Sequence, residues 1–195
     1  MKHLKKIKIE TVSGFLKTDL KTNTISIGAD TASYHTAFAI IRTTDSYLIL
    51  ESLEKIEVPK LSKKSTTKQV LNNVDLFTEQ LDDLKNKWSK QYKFDNTQIE
   101  DCFYQFSVKT TKLLAYNGIL TYDRLKRISN KATLIMPISS RSKIKFKKSN
   151  KKITGSALKK EIIDYVNKAL DLKLTNSDEA DSIVLALAGL VKENE

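Results

Sequence analysis

The chain has 195 residues, enough for one domain with a proper core and short for two, and its 40% hydrophobic and 8% aromatic content fits a globular protein. A single cysteine, Cys102, excludes an internal disulfide and any multi-cysteine zinc site, and having only two histidines, His3 and His35, argues against a His-rich metal centre, so the compartment reads as reducing and cytoplasmic. Thirty-four Lys and Arg against 23 Asp and Glu leave a net charge of +11, which makes a polyanion the natural partner, and no apolar run reaches the ~18 residues of a membrane span.

Residues 1–23 read as a basic amino-terminal extension without the apolar stretch of a signal peptide, and residues 24–195 as the domain proper. "TISIGAD" at 24–30 predicts a strand that ends in an acid, and "TAFAIIRT" and "SYLILESL" predict a hairpin around Thr44 and Asp45. Residues 55–68 read as a polar connection broken by Pro59. Val70, Val74, Phe77, Leu81, Leu84 and Trp88 recur at three or four residues, which predicts an amphipathic helix from Gln69 to about Lys90. "TQIEDCFYQF" predicts a strand, and Val108, Ala115, Ile119, Tyr122 and Leu125 mark the inner face of a second helix over 107–128. "ATLIMPI" at 132–138 predicts a further strand, followed by a basic loop that runs through "RSKIKFKKSNKK". Helical spacing returns at Leu158, Ile162, Val166 and Leu170, and a last helix starts near Ser177. Three strands, a helix, a strand, a helix, a strand and two helices make an α/β layered domain.

The last helix opens on Asp178-Glu179-Ala180-Asp181, spelling DEAD, the letters of a helicase motif. The chain has no GxxxxGK[ST] phosphate loop, and the acids precede the apolar run instead of following it, so a nucleotide-driven motor is excluded. Acids in a first helical turn suit the macrodipole, and Asn176 with Glu179 would form a capping box. Asp178 and Asp181 at i and i+3 project from one side of an otherwise apolar helix, where two carboxylates repel each other unless a cation lies between them. Asp30 ends the first predicted strand, and Glu100 lies in a later one. Strand ends are where functional side chains gather in an α/β sheet, and four converging carboxylates would make an all-oxygen site for magnesium or manganese, suited to phosphodiester cleavage.

These segments resemble RuvC-type Holliday junction resolvases, members of the RNase H-like nuclease superfamily. "ISIGADTASYHTAFAII" is similar to their opening motif, "QIEDCFYQF" to their second, "TGSALKKEIIDYV" to the helix after their DNA-binding loop, and "DEADSIVLAL" to their closing motif, in the family's order over residues 25–190. The resemblance implies an RNase H-like α/β fold, with a mixed five-stranded sheet flanked by helices on both faces. It makes Asp30, Glu100, Asp178 and Asp181 the catalytic carboxylates and metal ligands, for two magnesium ions per subunit with manganese as the substitute. Glu100 is preferred to Asp101 because the motif places Ile99 before the acid and Phe103 three after it.

The same resemblance puts Phe103 against the bases near the crossover and Lys159 beside the active site, with Lys148 the counterpart of a second family lysine. Arg141, Lys143, Lys145, Lys147, Lys151 and Lys152 would then contact the DNA backbone. The implied function is a homodimeric, magnesium-dependent endonuclease acting in a bacterial or phage-infected cytoplasm. It would resolve four-way DNA junctions by paired symmetric nicks through metal-activated water, leaving 5′-phosphate and 3′-hydroxyl ends. Alternatives are an RNase H-like nuclease for forks, flaps or RNA-DNA hybrids, and a junction-binding protein without catalysis. Thr31-Ala32 replaces the family's Pro-Gly and Ala37 its second small glycine, departures that bear on the loop after the first acid and fit a divergent member from a phage or a low-G+C bacterium.

Overall fold

The computed structural model describes residues 4–62, 64–101 and 108–193, with the backbone alone for 108–110. In chain order the elements are β1 (Lys5–Lys8), α1 (Ile9–Leu16), β2 (Ile25–Thr31), β3 (His35–Thr43), β4 (Tyr47–Glu57), α2 (Thr67–Ser89), β5 (Phe94–Glu100), α3 (Val108–Lys126), β6 (Ser129–Ile135), α4 (Pro137–Lys143), α5 (Gly155–Leu170) and α6 (Ser177–Leu190). Among the described residues the sheet has six strands, in the order β1-β4-β3-β2-β5-β6. The hairpins β2-β3 and β3-β4 and the pair β1-β4 are antiparallel, whereas β2-β5 and β5-β6 are parallel. The chain reaches β5 from β2 through β3, β4 and α2, and β6 from β5 through α3, so a helix crosses over in each parallel step.

The sixth strand corrects the five-stranded expectation. It comes from the extension, where Lys5 to Lys8 pair with Leu50 to Tyr47 at the edge of the sheet. Its outermost place in the strand order makes β1 an edge, and its three lysines discourage further strand addition. Ile9, Val12 and Leu16 of α1 enter the core, and a bridge between Leu20 and Val191 ties the extension to the chain beyond α6. Strand β4 also runs on to Glu57, into the stretch expected to be connection, and the basic segment is not all loop. Pro137, at the start of α4, presets a helical φ, and Ser140 is buried inside the turn.

Apolar residues fill both faces of the sheet. Ile27, Ala29, Phe38 and Ile40 meet Phe77, Leu81 and Trp88 of α2 and Leu125 of α3 on one side. The other side packs Ala39 and Ile41 against α1, α5 and the nearly wholly buried α6. Helix α2 begins with a full capping box between Thr66 and Gln69, and Phe77, Leu81 and Trp88 keep the expected inner face. On α3 the inner face is turned relative to the sequence reading. Leu113, Leu114, Asn117 and Thr121 are buried, while Ile119 is 62% exposed, because buried Asn117 is drawn in to hydrogen-bond the β2-β3 turn.

Strand alternation decides which side chains of β2 reach α6. Ile27 and Ala29 face α2, so Ser26, Gly28 and Asp30 face the other way. The crossing is close because of glycine. A Cβ on Gly28 would lie 2.1 Å from the Ser182 carbonyl oxygen, and one on Gly189 would lie 2.4 Å from the Ser26 hydroxyl. This contact brings the amino-terminal turn of α6 over the end of β2.

Candidate active site

Asp30 and Glu100 end the neighbouring parallel strands β2 and β5, and their carboxyl groups meet in a hydrogen bond. Asp181, 8% exposed, and half-buried Asp178 come from the first turn and a half of α6. Asn176 caps that helix by accepting the Asp178 N–H at 2.8 Å. Thr31 donates to the Glu100 carbonyl at 3.3 Å, and Asn117 Nδ2 donates to the carbonyls of Ala32 and Ser33 at 2.9 and 3.3 Å. These bonds, with Ala32 N–H donating to the His35 carbonyl, hold the turn after Asp30 where the family would carry Pro-Gly.

Burial raises Asp30 well above the usual carboxylate range, and its hydrogen bond to Glu100 and the charges of Glu100, Asp181 and Asp178 push it the same way. Burial also raises Glu100 and Asp181, the latter in spite of Arg141. Asp178 behaves oppositely. The hydrogen bond from His35 holds it down to about 2, with Lys159 and Ser177 adding to the effect. His35 Nε2 lies 2.9 Å from Asp178 Oδ2, the Ser177 hydroxyl donates to Oδ1 at 3.2 Å, and Lys159 Nζ stands 3.7 Å from Oδ1. Arg141 donates to Asp181 Oδ1 at 3.0 Å.

Four clustered carboxylates give an oxygen-only donor set whose mutual repulsion a hard divalent cation would relieve, so the residues fit such an ion in chemistry. They are not assembled as a cage. Among the described residues no group of three His, Cys, Asp or Glu stands in ligating arrangement, since Asp178 and Asp181 turn oxygens toward His35 and Arg141.

A carboxyl raised on folding binds its proton more tightly in the native state, so stability is greatest at acid pH and falls as the pH climbs through the raised value. Asp30→Asn should therefore melt higher than the natural protein at pH 8 without divalent ions, by a few degrees or about 1 kcal/mol. The gain should shrink toward acid pH, as Asp30 takes up its proton. Equal melting temperatures at pH 8 would place Asp30 outside a charge cluster.

The basic residues divide. Arg141, expected on the DNA backbone, points inward to Asp181. Lys143 lies 3.6 Å from Glu193, and Lys148, expected near the acids, donates to the Ile153 carbonyl at 2.9 Å. Lys145, Lys147, Lys151 and Lys152 are exposed, and Lys159 stays at the rim of the carboxylates. Phe103 lies outside the described residues. His35 was missed by the sequence reading. Its signal was its place just before the β-rich run that follows Asp30, since a tight β2-β3 reversal sets that strand beside the acid.

No family model matches the chain, and no curated protein matches it in sequence. In three dimensions it is similar to Thermus thermophilus RuvC in complex with a Holliday junction substrate, with 12% identity, a TM-score of 0.60, and 85% of this chain and 92% of that one covered. A second structure of Thermus thermophilus RuvC gives 13% identity and a TM-score of 0.57 over 85% of this chain and 92% of that one. The yeast mitochondrial Holliday junction resolvase Ydc2 gives 10% identity and a TM-score of 0.50 over 91% of this chain and 83% of that one. At these identities the likeness establishes the fold, that of RuvC-type resolvases, an α/β RNase H-like architecture.

Proposed function

We propose that the chain is a structure-selective DNA endonuclease that resolves four-way junctions by paired, symmetric nicks, leaving 5′-phosphate and 3′-hydroxyl ends. The observation that carries this reading is the meeting of Asp30 and Glu100 at the ends of the two central parallel strands, under the first turns of α6 with Asp178 and Asp181. The structures of like fold named above are junction resolvases, which favours that substrate. Asp30, Glu100, Asp178 and Asp181 would hold one or two magnesium ions, or manganese in their place. When bound, such ions supply activation of water and neutralisation of the leaving oxygen.

The chain's own groups do the rest. Lys159, half exposed and beside Asp178, is placed to hold the scissile phosphate and the charge that develops on it. Exposed Lys145, Lys147, Lys151 and Lys152 give a sequence-independent grip on phosphates, which positions a strand without reading it. His35 and Arg141 keep the outer carboxylates oriented.

Cleavage of a labelled four-way junction by the purified protein in magnesium tests the reading. Equal cutting of a junction and a plain RNA-DNA hybrid would favour a general RNase H-like nuclease, and binding without cutting would favour an architectural protein.

Symmetric nicks call for two active sites, and α3 offers a face for a second copy. Tyr116 and Ile119 are 50% and 62% exposed at i and i+3, side by side on the helix. Ile119→Glu should convert a dimer to monomers in analytical ultracentrifugation while leaving the melting temperature within a few degrees. A variant that stays dimeric would move the interface elsewhere.

A further inference from the structure

We propose that the cleft between α4 and α5 is a nucleobase pocket, which receives one unstacked base of the strand lying across the carboxylates. The proposal rests on the nuclease reading for its substrate, and on the cleft's own residues for its chemistry. The cleft has a volume of about 400 Å³, within the range of small-molecule sites and ample for a base. Its walls include apolar Ile138, Phe146 and Leu158, and its cationic residues include Arg141, Lys145 and Lys147. Apolar walls ringed by cations suit a flat heteroaromatic group carried on a phosphate chain, and suit an uncharged peptide less well.

Arg141 places the cleft beside the reacting centre, since it lines the cleft and also donates to Asp181 at 3.0 Å. Its buried Nε finds no acceptor among the described residues, so the guanidinium's donor capacity is not all used by Asp181. Ile138, 73% exposed, offers an apolar contact at the mouth.

The aromatic wall is braced. Phe146 packs edge-on against Tyr165 with centroids 5.2 Å apart, and Tyr165 packs in turn against Phe15 of α1 at 5.1 Å. The Tyr165 hydroxyl donates to the Ile144 carbonyl at 2.7 Å, which pins the backbone beside Phe146. The amino-terminal extension thereby supports the ring against which a base would stack, a role for a segment whose purpose the sequence left open.

The test uses the full chain without divalent metal, so that substrate stays intact. Four-way junctions and single-stranded oligonucleotides carry 2-aminopurine at successive positions around the cut site, and emission is followed on binding. One position should change emission with the natural protein. Phe146→Leu, which keeps an apolar wall but loses the ring, should abolish that change and weaken oligonucleotide binding by roughly tenfold, the scale of one base-aromatic stack. Ile138→Glu, at an exposed site that cannot unfold the core, should do the same, and in magnesium both variants should change the distribution of cut positions. Unchanged emission and an unchanged cut distribution in both variants would overturn the pocket while leaving junction cleavage standing. Junctions left uncut by the natural protein, with the Phe146-dependent signal still present on oligonucleotides, would overturn the resolvase reading and keep the pocket.

Discussion

Asp181→Asn should lower junction cleavage in magnesium by roughly a thousandfold, the upper scale on which one transition-state-stabilising group acts, while leaving junction binding within a few fold. Asn has the shape of Asp and can still accept from Arg141, so the first turns of α6 have no steric reason to move. What disappears is the charge. Asp181 is buried beside Asp30 and Glu100, and burial disfavours its ionised form, which Arg141 offsets only in part. The basic surface at Lys145, Lys147, Lys151 and Lys152 is untouched, which is why binding persists. Single-turnover cleavage in magnesium and gel shift in EDTA separate the two effects. Cleavage by the variant at the natural rate would remove Asp181 from the site.

Gly28→Ala is the second large effect, and it acts through packing. The added methyl would meet the Ser182 carbonyl oxygen at 2.1 Å, the Ala186 nitrogen at 2.4 Å and the Leu185 Cβ at 2.9 Å. Two of these are backbone atoms of a buried helix, which cannot rotate aside, so α6 must lift from the sheet. A loss of about 3 kcal/mol follows, at the upper end of overpacking costs, or roughly 10 °C in Tm for a domain of this size. Cleavage should fall too, because lifting α6 carries Asp178 and Asp181 away from Asp30 and Glu100. Gly14→Ala is the internal control. It lies within α1 with nothing inside 4 Å of an added Cβ, and should gain ~0.5 to 1 kcal/mol from helix propensity. Equal melting temperatures for the natural chain and Gly28→Ala would refute the close crossing.

Much of the fold was legible because it is written in local periodicity. Phe77, Leu81 and Trp88 repeat at helical spacing and face inward as expected, and the β-rich runs on either side of Thr44 form a hairpin. The strand that ends at Asp30 and the helix that opens at Ser177 were visible for the same reason, a short apolar run with an acid at its end. Periodicity failed on α3, where Ile119 points outward. A polar residue with a specific partner, Asn117, outweighed a modest apolar signal, since leaving its amide buried and unpaired costs more than exposing one isoleucine. The sixth strand was also hidden, because Lys5 to Lys8 carry only one apolar residue and an edge strand needs little more.

By itself the sequence determined the layered α/β class, the net charge of +11, and the acids and lysines from which a site could be drawn. Only the tertiary structure decided how those charges pair. Arg141 turns to Asp181 across 40 residues of chain, His35 to Asp178 from the start of β3 on the face of the sheet that α6 covers, and Lys148 to a backbone carbonyl. Spacing along a chain fixes which face of a helix or strand a side chain occupies, through the 3.6 and 2.0 residue periods. It carries no information on what stands opposite that face. The partner of a buried charge is set by the crossing of distant elements, here of α6 over β2 at Gly28, and the low dielectric there strengthens the pairings that the carboxylates of α6 make.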